Sequence, residues 1–230
     1  MSLLTILFAF VNFAVLAISV PPPSGPTAIV NLRIEGRSST IFEGYISTKG
    51  HDVTTASGGT HHCDGTNNNQ NPNPGSTCTS ALDTASNNYN FPWDATFFTQ
   101  FDDYFITSIG SDTQTSTEFW GILLNYQFTP VGGCQQQVHT SDEVLFAFDA
   151  FSKSHFLKLS GPNTTQVNQP AQLTVVDGST GTPIAGATVN GQTSDAQGHV
   201  SVTFGSTGLQ TVKAEKSDSI RSNGLKILVV

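Results

Sequence analysis

The sequence predicts a mainly β protein: a β-rich α+β domain over residues 28–158, then a small β-sandwich over residues 159–230. Three observations point there. Val30, Leu32 and Ile34 alternate with Asn31, Arg33 and Glu35, the period of a half-buried strand. From Gln172 onward, short apolar runs recur at strand length between Gly-rich turns. The stretch 181–200, GTPIAGATVNGQTSDAQGHV, has the apolar patches and turn residues of a β-turn-β unit in an extracellular sandwich module.

The elements follow in order. Leu3–Val20 is an apolar run stopped by Pro21, Pro22 and Pro23, and Ala17 and Ser19 put small residues before a cleavage point. This pattern predicts a signal peptide over residues 1–19 and a Pro-rich linker over 20–27. The competing reading is an uncleaved anchor, since the run is near the minimum of about 17 residues for a spanning helix. The strand ending at Gly36 is followed by a second over Thr40–Thr48, which predicts a hairpin. Residues 49–77 read as a long Gly/Asn/Thr/Pro loop, of a length that is usually functional or mobile.

Thr79-Ser80 opens the best helix, with Ser80 and Asp83 spaced as a capping box and Leu82, Ala85 and Tyr89 on one face. Asn87-Asn88 ends it. Phe91–Phe105 reads both ways: Phe97, Phe98, Phe101, Tyr104 and Phe105 sit at helical spacing, yet Ile106–Gly110 reads as strand. Phe119–Phe128 and Asp142–Phe148 are apolar strands. The second module supplies strands at Leu173–Val176, Ala187–Asn190, His199–Phe204, Leu209–Lys216 and Leu225–Val229, with turns at Gly178, Gly181, Gly191, Gly198 and Gly208. A core this small is marginal and is expected to lean on the first domain.

Composition narrows the function. Charged residues are 11% of the chain, against about a quarter in an average globular protein. The net charge is −8 with only 9 Lys plus Arg, so nucleic acid and anionic membrane are not expected as partners. Hydrophobic residues at 37%, including 16 Phe, are too many for a disordered chain. Cys63, Cys78 and Cys134 allow one disulfide in three pairings. Cys63 and Cys78 are closest in sequence, and closing that loop would contribute about 3 kcal/mol. The odd thiol is then either buried or a bridge between two copies. Asn163-Thr164-Thr165 is a glycosylation sequon.

Residues 28–158 resemble the β-rich C-terminal domain of the transcobalamin family. The motifs that carry this are VNLRIEG, TIFEGYI, TSALD, YFITSIG, FWGILLN and DEVLFAF, in the family's order. GTPIAGATV, TSDAQGHV and LQTVKAEKSDSIRSNGL are similar to the immunoglobulin-like module fused to that domain in secreted fungal proteins. The resemblance implies a β-grasp-like α+β domain followed by an immunoglobulin-like sandwich. Transcobalamin encloses cobalamin with a large helical barrel, and this chain has no room for one. Neither cobalamin nor any other cofactor is therefore expected.

Candidate sites are few. His61-His62-Cys63-Asp64, with His51 nearby, suits zinc or copper, but no second ligand pair follows at finger spacing. Asp64 and the following Asn residues offer calcium-like oxygens without an EF-hand's central Gly and distal Glu. Asp102-Asp103 and Asp142-Glu143 invite a glycosidase reading, yet adjacent strand residues point to opposite faces. No nucleophile elbow and no phosphate-cradling Gly loop exists. Tyr89, Trp93 and Trp120 are the candidate ligand-stacking aromatics, weighed against a place in the core. The expectation is a secreted, non-catalytic binding or surface-presentation protein that meets cell-wall polysaccharide or an extracellular protein. Its contact surface would be the loop at residues 50–77 or the aromatic segment. A secreted carbohydrate hydrolase and a metal or cofactor carrier are the alternatives.

Overall fold

The computed structural model describes residues 25–230, so the predicted signal peptide and most of the linker lie outside the described residues. The chain is mainly β. β1 (Ala28–Glu35) and β2 (Thr40–Thr48) form the expected hairpin, paired from Ala28↔Thr48 to Glu35↔Thr40. A second hairpin follows, β3 (His51–Thr55) with β4 (Gly59–Cys63), where the sequence predicted loop. Only Val53 and Cys63 of this hairpin are buried apolar residues, too few for periodicity to register.

The one α-helix among the described residues, α1 (Cys78–Tyr89), begins earlier than predicted. Thr77 is the N-cap: its hydroxyl accepts from the Ser80 N–H, and the Ser80 hydroxyl accepts from the Thr77 N–H. Ser80 is thus the third helical residue of the capping box, and Asp83 is freed for another partner. The ambiguous aromatic segment is a pair of strands, β5 (Trp93–Phe98) and β6 (Asp103–Ile109), with β7 (Asp112–Thr113) on their edge. β8 (Trp120–Leu124) turns into β9 (Gln127–Phe128) through Asn125 and Tyr126, both with positive φ, as a two-residue hairpin requires. β10 (Glu143–Phe148) lies parallel to β1 and antiparallel to β8, giving the order β2-β1-β10-β8-β9.

The C-terminal half holds β11 (His155–Ser160), β12 (Thr164–Thr165), β13 (Pro170–Asp177), β14 (Thr188–Val189), β15 (Gln192–Thr193), β16 (His199–Thr203), β17 (Gly208–Val212), β18 (Ala214–Glu215), β19 (Ser219–Ile220) and β20 (Leu225–Val229). One sheet runs β16-β13-β11-β19, facing β12-β20-β17 and a small β15-β14-β18 sheet. Leu157, Leu173, Val175 and Val202 from the first sheet pack with Ile227 and Val229 from the second. β11 crosses the boundary expected at residue 158, and it pairs only with strands of this half.

The five-stranded sheet has two buried faces. Val30, Leu32, Ile34, Ile46, Val144, Phe146 and Phe148 point one way, into a core shared with Leu82 and Ala85 of α1. The alternate residues point toward the C-terminal half, where Leu123, Tyr126, Leu145 and Ala147 meet Phe156 and Ile220. The polar members of the same face are covered as well, with Arg33 and Glu35 both buried. Glu35 accepts from Lys213 Nζ at 2.6 Å, Arg221 Nε at 2.8 Å and the Thr40 hydroxyl. Lys213 also pairs with Glu43, and Arg33 donates to the Arg221 carbonyl at 2.6 Å. Gly178 lies flat on the Tyr126 ring, where any Cβ would collide.

The disulfide joins Cys63 to Cys134 rather than the sequence neighbours Cys63 and Cys78. It closes a loop of 71 residues, for which the chain-entropy model gives about 4 kcal/mol. Cys78 is free but buried in the core, so it is no bridge between copies; burial pushes its thiol well above the ordinary range.

Replacing Glu35 with Gln removes the counter-charge of Arg221 and one of the two carboxylates that face Lys213 at the seam. Urea unfolding should show a loss of about 3–5 kcal/mol, the cost of breaking a buried pair. A loss within about 0.5 kcal/mol, typical of a surface change, would contradict this account of the seam.

Candidate functional site

Two depressions on the described surface hold clusters of polar side chains. The first, about 720 Å³, lies along the seam and includes Arg37, Glu118, Asp149, Lys153, Lys216 and Arg221. Its cations are already committed: Arg37 is bidentate on Glu118, Lys153 pairs with Asp149, Lys216 with Asp218, and Arg221 with Glu35. Its walls are paired charges that join or border the two halves.

The second is a groove of about 620 Å³ between α1 and the start of β3. Its floor is built by two elements. His51 opens β3 and Asp83 sits in the second turn of α1; Trp93, which opens β5, lies outside the lining and braces Asp83 by a hydrogen bond. One His51 ring nitrogen, Nδ1, lies 2.8 Å from the Lys49 carbonyl, and the other, Nε2, lies 2.9 Å from Asp83 Oδ2. Two acceptors on opposite sides of one ring suit an imidazolium, which donates from both nitrogens. The Asp83 hydrogen bond accordingly raises the His51 pKa above its ordinary value. Asp83 is buried and also accepts from Asn87 Nδ2 at 3.0 Å and the Trp93 indole N–H at 3.3 Å.

Above this locked floor the walls are polar throughout. Thr27 and Ser47 offer hydroxyls, and Lys49, Asp52, Asn88 and the Asn87 amide oxygen offer charges and amides, while the Thr48 and Thr84 hydroxyls are bonded to each other and to the Ser80 carbonyl. Tyr89 is the last residue of the helix and is 58% exposed, its ring centroid 4.7 Å from that of Phe42. Proton transfer is poorly served here, because both His51 nitrogens and both Asp83 oxygens already have partners. Directional hydrogen bonding to a hydrated ligand is well served.

The other predicted site residues are scattered. Trp120 is only 4% exposed and packs edge-on to Phe148, so its candidacy as a ligand-stacking aromatic is corrected to a core role. Trp93 is half-buried and held by Asp83 rather than presented. His61 stacks on Phe97 with ring centroids 3.4 Å apart, while His62 leans toward Asp102 at 3.2 Å. They are adjacent on β4 and diverge to opposite faces, and Cys63 is taken by the disulfide. Among the described residues, no three His, Cys, Asp or Glu side chains converge on a metal position. Asp64 spends one oxygen on the Thr66 N–H and hydroxyl. Asn67 is buried, bridging the His62 and Asp102 carbonyls. The Asn-rich segment is therefore partly internal scaffold. Asn163 is exposed at the start of β12.

The acidic doublets are committed too. Asp103 is buried under the loop that carries the disulfide, accepting from the N–H groups of Tyr104, Cys134 and Gln135. Burial outweighs those donors and pushes its pKa up to about 6. Asp102 holds the Asn68 N–H, Asp142 holds the His139 N–H and Asn125, and Glu143 pairs with Lys158 at the seam. The pairing of His51 with Asp83 was missed by sequence reasoning, which assigned Asp83 to a cap. No protein-family model and no curated protein sequence matches the chain.

Both shifted groups favour the fold in mild acid. Asp103 contributes stability below its ordinary value of 3.8, and that contribution is lost as pH rises through about 6. His51 contributes fully below 6.5 and loses its contribution as pH rises through its higher folded value. The thermal midpoint should therefore fall from mildly acidic to mildly alkaline pH. His51→Gln should flatten the upper part of that slope, and an unchanged slope in this variant would remove His51 from the explanation.

Proposed function

We propose that the chain is an extracellular, non-catalytic binding protein that holds a polyhydroxylated polymer, of the cell-wall polysaccharide kind, in the groove beside α1. The observation that carries this is the lining: hydroxyls, amides and charges set above a His51–Asp83 floor whose own hydrogen bonds are complete. Sugars are held by many directional bonds, and a preset array of polar groups costs little ordering on binding. Tyr89 supplies an exposed ring at the end of the same helix for an apolar sugar face. The extracellular setting rests on the Leu3–Val20 run in the sequence.

The architecture proposed with it is a β-grasp-like domain followed by an immunoglobulin-like sandwich, as in the transcobalamin-like resemblance. Support for the first comes from an initial hairpin, a helix against the sheet, and parallel central strands β1 and β10. Support for the second comes from β11 and β12 entering opposite sheets, with β12 parallel to β20.

Purified protein on a panel of insoluble and soluble polysaccharides tests the function. Retention is expected on at least one polymer. The Ser47→Ala/Asn88→Ala variant should bind roughly tenfold more weakly, from losing two hydrogen bonds of about 0.5–1.5 kcal/mol each. Folded protein that is retained by no polymer would sink the reading. Release of shortened sugar products would replace it with the hydrolase alternative.

A further inference from the structure

The protein carries an uncovered strip of phenylalanines well away from the groove lining. Phe101, Phe98, Phe105 and Phe119 form a chain of ring contacts 6.2–6.5 Å long at each step. Phe119 precedes β8 by one residue, so the pleat puts it on the same face as Gly121. A Cβ on Gly121 would stand 3.0 Å from the Phe128 ring and 3.8 Å from the Phe151 ring. Phe128 and Phe151 are themselves stacked 5.0 Å apart at 7°. The exposed rings thus form two groups, one at the β5–β6 turn that reaches Phe119 and one at the loop after β10, with Gly121, two residues beyond Phe119, beside the second. Phe98, Phe101, Phe105, Phe128 and Phe151 are 41%, 58%, 41%, 42% and 66% exposed.

We propose that this strip is the interface of a homodimer, occupied by the same strip of a second copy. Three observations select that occupant. The first is charge. The chain carries −8 overall, yet Ala95–Phe101 and Phe119–Ser141, which supply most of the strip, contain no Lys, Arg, Asp or Glu. Two copies can approach there without setting like charges against each other.

The second is ring geometry. Successive rings from Phe101 to Phe119 are tilted by 56–78°. Such a surface presents both ring edges and ring faces, which attract one another, so it is complementary to itself under a two-fold axis. A flat sugar platform would need the rings coplanar. The third is area. The five exposed rings leave on the order of 500 Å² uncovered at about 200 Å² per phenylalanine. Two strips together reach about 1,000 Å², the size at which specific interfaces begin.

Sedimentation velocity of the whole purified protein across the micromolar range tests this. The expected result is a species of two chains that becomes one chain in the Phe101→Ser/Phe151→Ser variant, with an unchanged circular dichroism spectrum. A wild-type protein that stays monomeric overturns the proposal, as does a folded variant that remains dimeric. If the double variant fails to fold, hydrogen exchange of the wild-type protein decides. Protection over residues 98–105 and 128 that rises with protein concentration supports the interface, and protection independent of concentration overturns it. Polysaccharide retention of the monomeric variant separates this result from the groove reading, since the strip includes no groove residue.

Discussion

Glu35 sits at the end of β1, on the face of the sheet that a lone domain would turn to water, and it accepts hydrogen bonds from Lys213, Arg221 and Thr40. Both cations come from the C-terminal half. The carboxylate therefore does two jobs at once: it ends a central strand and it fixes the second half on the first. Arg33 and Lys158 extend the same logic, flanking the Tyr126 ring within 6 Å. Four of the chain's 9 basic residues are used in this way at the seam. The low charge of the exterior and the dense charge of the seam are parts of one arrangement.

That arrangement leaves the groove outside the contact between halves, while the phenylalanine strip meets it at one end, where Phe128 packs edge-on to Phe156. The groove is stiffened from below, because Asp83 is anchored by a strand residue, a helix residue and an indole. The side chains above it can then be varied without disturbing the floor. The strip differs in kind, with its rings standing out from strands whose opposite faces are already satisfied by the core. A dimer through the strip would give one particle two grooves. On a repetitive polymer the second groove binds at a high effective concentration, which compensates for weak individual sites.

Much of the fold was legible because burial imposes period two on strands. Val30, Leu32 and Ile34 read correctly as an inward face, and β10 and β8 were apparent from their apolar runs. The same alternation could not reveal that Arg33 and Glu35 are buried, because polar residues look alike whether water or a second lobe covers them. The β3–β4 hairpin was hidden by threonines and glycines, which form strands only where a neighbour supplies the packing. Phe98 and Phe101 mimicked a helical face because a tight turn, not a helix, separates them. Of the candidate stacking aromatics, Tyr89 is exposed and Trp120 is buried, a difference that residue type does not announce because an aromatic's exposure is a tertiary property. His51 and Asp83 are 32 residues apart in the chain, and no local signal links them.

The parallel pairing of β1 with β10 sets a timetable as well as a shape. β1 is made early, yet Asn31 finds its partner only when Glu143 has been synthesised, and Glu35 waits longer still for Lys213 and Arg221. Loop closure over such separations is slow, and the apolar edge of β1 stays open meanwhile. The β1–β2 hairpin can form at once and shield one edge, leaving the other as the most aggregation-exposed surface of the nascent chain. The order in which the chain emerges thus leaves the first described strand waiting for a partner made 186 residues after it.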